Sequence, residues 1–139
     1  MAHWIIAFPA IAFLLVAAPE AKATLYDDMG GKEGIDRLVD NSIKSFLADP
    51  RIGKTFDDTN MVRFRTMLTA QFCHIADGPC KYNGHSMAVA HRGLALRQVD
   101  FNALAEDLQS AMDVSGIPFR TQNRLLALLA PMQRDVVTK

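Results

Sequence analysis

Charge of either sign is not in surplus in this chain. Its 139 residues carry 15 Lys or Arg and 15 Asp or Glu. Nucleic acids and anionic membrane surfaces both ask for a basic excess, so neither is an expected partner. The common catalytic signatures are missing too. No HExxH or HxxxH sets two imidazoles on one helix face, and Cys73, Cys80, His85 and His91 are spaced like no zinc module. There is no glycine-rich phosphate loop and no GxSxG nucleophile turn. Asp57-Asp58 stands just before a helix and reads as capping. Period-2 alternation is never sustained, which excludes a sheet, and no a/d heptad run signals a coiled coil.

Long apolar runs are also absent, with one exception at the start. Trp4–Ala18 is a run of 15 apolar residues, about 22 Å as a helix and short of the ~30 Å hydrocarbon core. Ala21-Lys22-Ala23 follows with a small-x-small pattern. Residues 1–23 therefore read as a signal peptide, although no Lys or Arg precedes the run. An uncleaved anchor is the other reading. Residues 24–139 are then the folded domain, exported and periplasmic.

Cysteine is scarce: Cys73 and Cys80 are the two present. On one continuous helix they would stand about 10 Å apart, too far to bridge. Gly78-Pro79 between them should end the helix and let the chain fold back. A disulfide and two buried free thiols both fit.

What is present is helical periodicity. Ile35, Leu38, Val39, Ile43, Phe46 and Leu47 recur at steps of mostly three and four in Glu33–Ala48, which Pro50 closes. Gly30-Gly31 forms a corner between this helix and a short segment, Leu25–Met29. A second helix is expected over about 60–75, with Met61, Phe64, Leu68, Phe72 and Ile75 on one stripe, Met67 beside it, and Asp58 or Thr59 as cap. Ser86 can cap a single turn ending at Gly93. Asp100 starts the next helix, which ends at Ser115-Gly116. The last helix spans about 121–137, with Pro131 predicting a kink or break. The class is all-α.

The stretch from Gly78 to Gly93 strains a purely structural reading. It has little regular structure but carries Tyr82, His85, Met87 and His91. Long irregular segments in compact domains usually serve a function. The run SMAVAHRG ends a short apolar stretch on one histidine. A single imidazole on a rigid element beside an apolar slot is what holds haem iron in many proteins. Stripes Ile43/Phe46, Phe64/Leu68 and Leu125/Leu128/Leu129 are candidate walls, with Phe56 to stack on the macrocycle. On composition alone, a lone histidine is more often a satisfied polar residue.

Several ordered pieces carry a family resemblance: LYDDMGGKEGIDRLVD, LADPRI, Phe56 followed by TNM, FCHIADGPCKYNG, MAVAHRGL, DFNAL and LLALLAPMQRDVV. From Leu25 to about Val137 the chain resembles the group I truncated haemoglobins, shortened globins with a two-on-two helical sandwich around haem b. The resemblance implies that His91 is the proximal iron ligand and that Phe56 wedges against the haem face. It implies that Met87, Leu96 and Phe101 line the proximal side or haem edge, with Thr59, Asn60 and Tyr82 near the propionates. Arg63, Arg65 and Arg92 are candidate propionate partners. A backbone carbonyl in the preceding turn should hold the second ring nitrogen of His91.

The chain departs from the family where the bound gas would sit. Ile43 stands where a Tyr is usual, Ser42 where Phe is common, and Phe64 and Leu68 where Gln or another polar group is frequent. Asp77 replaces the first Gly of the usual Gly-Gly-Pro corner. Such a wall donates no hydrogen bond unless Ser42 or Thr69 rotates inward. Losing one or two donors of ~1 kcal/mol or more should speed oxygen release roughly 10- to 100-fold.

The expectation is a haem protein that reversibly binds oxygen, nitric oxide or carbon monoxide. An enzyme is not the expected reading: nitric oxide oxidation in this family needs a stabilised oxygen form and a reductase. Two alternatives stand beside it. One is a six-coordinate redox haem ligated by Met67 or His74, and the other is a helical module without cofactor.

Overall fold

Helix boundaries in this chain are set by short polar side chains and by glycines that bend the backbone. The computed structural model describes residues 17–139, which are all helix, turn and loop. The signal-peptide expectation falls largely on residues 1–16, outside the described residues; residues 17–23 are exposed and without regular structure. No helix of the described residues is long and apolar enough to cross a membrane.

Helix α1 (Leu25–Asp28) opens on a capping box, with Thr24 Oγ1 accepting from Asp27 N and the Asp27 carboxylate accepting from Thr24 N at 2.9 Å. The chain then turns through Gly30 (φ 92°) and Gly31 (φ 64°), both left-handed, into α2 (Gly31–Ala48). Gly34 completes the corner: a Cβ there would collide with the Met29 carbonyl.

A 3-10 turn, Gly53–Phe56, leads to α3 (Met61–Ile75). Its cap is Asn60, whose side chain accepts from Arg63 N at 2.9 Å, and not Asp58 or Thr59. Asn60 stands immediately before the first helical residue, where a short oxygen reaches the orphan N–H groups. Helix α4 (Met87–Ala90) is a single turn capped by Ser86, as expected.

Helix α5 (Gln98–Val114) begins two residues before the expected Asp100. The Asp100 carboxylate reaches back to Arg97 N at 2.9 Å, so it serves as the third residue of the helix and not its first. Pro131 breaks the last helix outright, into α6 (Phe119–Leu129), a 3-10 turn (Ala130–Met132) and α7 (Gln133–Val136). Proline removes an N–H and crowds the preceding turn, and the tighter turn absorbs both.

The core lies between α2, α5 and α6. Ile35, Leu38 and Val39 of α2 meet Leu108, Ala111 and Met112 of α5 and Leu125 of α6, all essentially without solvent exposure. Burying each large side chain contributes about 1.5–3 kcal/mol. Gln122 pins the α5–α6 corner, donating to Asp113 at 2.7 Å and to the Ile117 carbonyl at 2.9 Å. Helix α3 lies against α2 through Arg65, which donates to both Asp40 oxygens at 2.6 and 3.1 Å. Helix α4 is left on the far side of α3's other face, supported by α7.

Candidate haem site

Between α3 and α4 the fold leaves a cleft. Its lining is Thr59, Asn60, Arg63, Phe64, Met67, Tyr82, His85 and Ala90, around a cavity of about 220 Å³. The spacing of α3 explains this wall. Arg65 and Phe72 turn toward α2 and the core, with Leu68 between them on the same face; Phe64 and Met67 lie to the side of that face, half-buried, and line the cleft. Across the cleft, Ala90 of α4 is exposed; on the same segment Met87 is half-buried and Val89 and Leu94 are exposed. Soluble domains seldom leave two apolar faces so close and uncovered without something to cover them.

His91 caps the end of α4, half-buried. Its Nδ1 lies 2.8 Å from the Met87 carbonyl oxygen. A carbonyl can only accept, so Nδ1 is the donor, and in the neutral ring Nε2 is then the nitrogen with the lone pair that a metal needs. This is the backbone hold expected for the second ring nitrogen. His91 is not itself among the residues lining the cavity but follows Ala90, which is; an imidazole whose ring orientation a backbone carbonyl fixes, one residue beyond that lining, is a donor that suits a haem iron.

The aromatic expected at the corner is in place. Phe56 stacks on Phe46 with centroids 6.0 Å apart and planes 8° apart, and meets Phe64 at 5.4 Å and 49°. Ile43, Phe56, Phe64 and Leu68 are all partly buried and packed on the core. Two of the expected walls lie elsewhere. Phe46 and Leu125 are buried in the core and face no open space, because α2 and α6 turn those positions inward. Leu128 is exposed.

Thr59, Phe64 and Tyr82 meet around the cleft itself. Leu96, Met87 and Phe101 are half-buried around α4 and the start of α5 but do not line that cavity. The Leu96 carbonyl accepts from Thr138 N and Lys139 N, at 2.9 and 3.1 Å, which ties the C-terminal tail to the segment after His91.

Ser42 is committed to its own helix, with Oγ donating to the Leu38 carbonyl at 2.8 Å, and is fully buried. Thr69 Oγ1 is buried with no partner. Among the basic candidates, Arg65 is held by Asp40, whose carboxyl the guanidinium keeps below the usual carboxylate range, and it is not free for a propionate. Arg63 lines the cleft. His74 is exposed, with Nδ1 3.4 Å from the Cys80 carbonyl oxygen, and takes no part in the lining. Met67 does.

His85, one of the residues singled out in the irregular segment, is exposed and lines the mouth of the cleft, where Tyr82 Oη donates to its carbonyl at 2.7 Å. Gln71 is a residue that sequence reasoning did not find. It falls three after Leu68 and four after Met67, and its Nε2 lies 3.3 Å from Met87 Sδ and 3.7 Å from Met132 Sδ. Following the stripe by position, regardless of polarity, finds it.

Comparison with known proteins bears on the family and the fold. A bacterial-like globin family model matches residues 24–138. The group 1 truncated haemoglobin GlbN of Nostoc commune is 33% identical over 117 residues, which cover 84% of this chain and 99% of that protein. The group 1 truncated haemoglobin GlbN of Mycolicibacterium paratuberculosis is 30% identical over 116 residues, 84% of this chain and 85% of that one. Among solved structures, truncated haemoglobin from Tetrahymena pyriformis in the Fe(III) form superposes with a TM-score of 0.81. It is 26% identical, over 84% of this chain and 100% of that chain.

Proposed function

This chain belongs to the bacterial-like globin family and its cofactor is haem; from that premise we propose that it binds oxygen and other diatomic gases reversibly, with His91 as the iron ligand and an apolar wall over the gas. The observation that carries the reading is the 2.8 Å approach of His91 Nδ1 to the Met87 carbonyl, which leaves Nε2 free to ligate. When bound, haem supplies an iron with one position open to a small gas.

The chain's own residues set what surrounds that position. Phe56, locked between Phe46 and Phe64, gives the macrocycle a rigid aromatic face. Ile43, Phe64 and Leu68 exclude water and donate nothing, so a gas carrying partial negative charge gains no hydrogen bond from them. Ser42 does not compensate, since its proton is spent on Leu38. Thr59, Asn60, Arg63, Tyr82 and His85 form a polar mouth suited to the carboxylates of the cofactor. This arrangement favours reversible binding over nitric oxide oxidation, which would demand a stabilised oxygen form and a reductase.

Met67 keeps a second reading in view, because it lines the cleft and thioethers ligate haem iron in electron-transfer proteins. The visible spectrum of the ferrous protein separates the two. Gas binding predicts a five-coordinate spectrum that converts on adding carbon monoxide. A six-coordinate ferrous spectrum, lost in Met67→Leu, would assign the protein to redox work instead.

An exported location is part of the proposal, supported by the Trp4–Ala18 run and by a disulfide in a chain with two cysteines. Fractionation of a Gram-negative host expressing the full chain tests it; a product confined to the cytoplasm with residues 1–23 intact would refute it.

A further inference from the structure

Cys73 and Cys80 are joined, with Cα atoms 6.0 Å apart; free thiols are not the state of this pair. The distance falls in the ordinary range for a bridge, and the fold-back at Gly78-Pro79 supplies it. Where the bridge lies is informative. Cys73 is in the last turn of α3, the helix that walls the cleft, and Cys80 is in the loop that runs to α4 and His91.

The other ties of that loop lie close to α3. Tyr26 N donates to the Ala76 carbonyl at 2.8 Å, Asp77 N to His74 at 3.2 Å, and Gly78 N to Cys73 at 2.8 Å. Gly78 packs so close to the Cys73 sulfur and Tyr26 ring that a Cβ there would clash with both. Beyond Cys80 the segment 81–86 is mostly exposed, held by one internal bond from Tyr82 to His85. Helix α4 has no buried residue. Cys80 is thus the last point at which the loop is fastened to α3 before the turn that carries His91.

We propose that the Cys73–Cys80 disulfide is a redox-sensitive staple that sets how firmly this protein retains haem. The inference rests on the haem-binding reading above. Closing this loop removes conformational freedom from the segment whenever α4 detaches, so the bound state is favoured while the bridge is intact.

Cys80 is only partly buried, whereas Cys73 is buried, so a thiol approaches through Cys80. A small dithiol is the reductant. Its first thiolate bonds to Cys80 Sγ, the protein S–S bond breaks, and Cys73 leaves as thiolate and takes a proton. The second thiol then displaces Cys80 from the mixed disulfide, and the reagent departs as a cyclic disulfide. Two electrons and two protons pass to the protein.

The test compares the purified holoprotein with and without dithiothreitol, its thiol state read by alkylation and mass. Haem transfer to excess apomyoglobin gives the rate of loss. Reduction should speed that loss by about 3- to 30-fold. The Cys73→Ser/Cys80→Ser protein should lose haem at the reduced rate and ignore the dithiol. Equal rates for oxidised and reduced wild type would overturn the proposal. If the double variant does not fold, hydrogen exchange on wild-type residues 81–91 decides: faster exchange after reduction supports the staple, and unchanged exchange refutes it. A failure of the haem reading would appear earlier, as no Soret band in the oxidised protein.

Discussion

The two helices that face each other across the cleft are secured in opposite ways. Helix α3 has 15 residues, an Asn60 cap, an ion pair from Arg65 to Asp40 and buried side chains at Phe72 and Cys73. Helix α4 has 4 residues, one cap and nothing buried. Isolated helices shorter than about 12–15 residues are marginal in water, so α4 persists through what it touches. It touches α7, the Gln71 amide through Met87, and the cleft. The α3 side of the cleft is therefore built in by the fold, while the α4 side, which carries the proposed iron ligand, depends on its neighbours.

The sharpest way to break this comparison is His91→Ala. The proximal side should then lose its grip: the haem-reconstituted protein should shed its Soret absorbance on gel filtration, while the far-ultraviolet helical signal stays within a few per cent, because α4 contributes 4 residues. Undiminished haem would place the ligand elsewhere. Next come truncations in the core. Leu38→Ala or Leu125→Ala should cost about 2–5 kcal/mol in urea unfolding, since both side chains are wholly buried. Val89→Ala, on the exposed face of α4, should cost under about 0.5 kcal/mol. The reverse ranking would mean that stability resides on the proximal side.

The same contrast explains what could be read from the sequence. The α2, α3 and α5 stripes were legible because buried faces of long helices impose a 3.6-residue period, and the break at Pro131 follows from one residue's chemistry. His91 and its carbonyl partner were legible because a capped turn ending on histidine fixes both atoms locally. The walls were read less well. Ile43 and Phe46 are three apart on one helix, yet the second is buried in the core and the first is only partly buried against it, a distinction set by where the neighbouring helices lie and not by spacing. Gln71 was missed for a related reason: a side chain meets its neighbours by position on the helix, whatever its polarity. The disulfide stayed open because loop direction after Gly78-Pro79 is a tertiary fact.

A smaller effect sharpens the distal side of the comparison. Ile43→Tyr introduces a phenol beside Ile43's apolar neighbours Phe64 and Leu68, which donate nothing. Oxygen release, followed by stopped flow on the ferrous protein, should slow by about 10- to 100-fold, which corresponds to one hydrogen bond to an acceptor carrying partial negative charge, about 1.4–3 kcal/mol. Helix α3 and its anchor to α2 should tolerate the change, because Ile43 is only half-buried. An unchanged rate would show that position 43 does not face the gas.

The smallest effect tests whether the well-anchored half is itself uniform. Asp107 of α5 has a buried Oδ2 with no partner and lies beside Asp49. Burial first, and then the Asp49 charge, push its carboxyl above the usual carboxylate range, while Arg51 holds Asp49 below it. The two have opposite signs. A raised carboxyl binds its proton more tightly when folded, so its contribution favours the fold below the unfolded pKa and is lost as pH rises through the folded value. A lowered one favours the fold above the unfolded pKa and loses that as pH falls through the folded value. At neutral pH Asp107 is thus the unfavourable member. Asp107→Asn should raise stability by up to about 1 kcal/mol at pH 7, discounted for its partial exposure, and the gain should disappear near pH 4 or below. Urea unfolding at the two pH values measures it. A gain of equal size at both would trace the effect to packing, and the seam between α2 and α5 would then carry no electrostatic flaw.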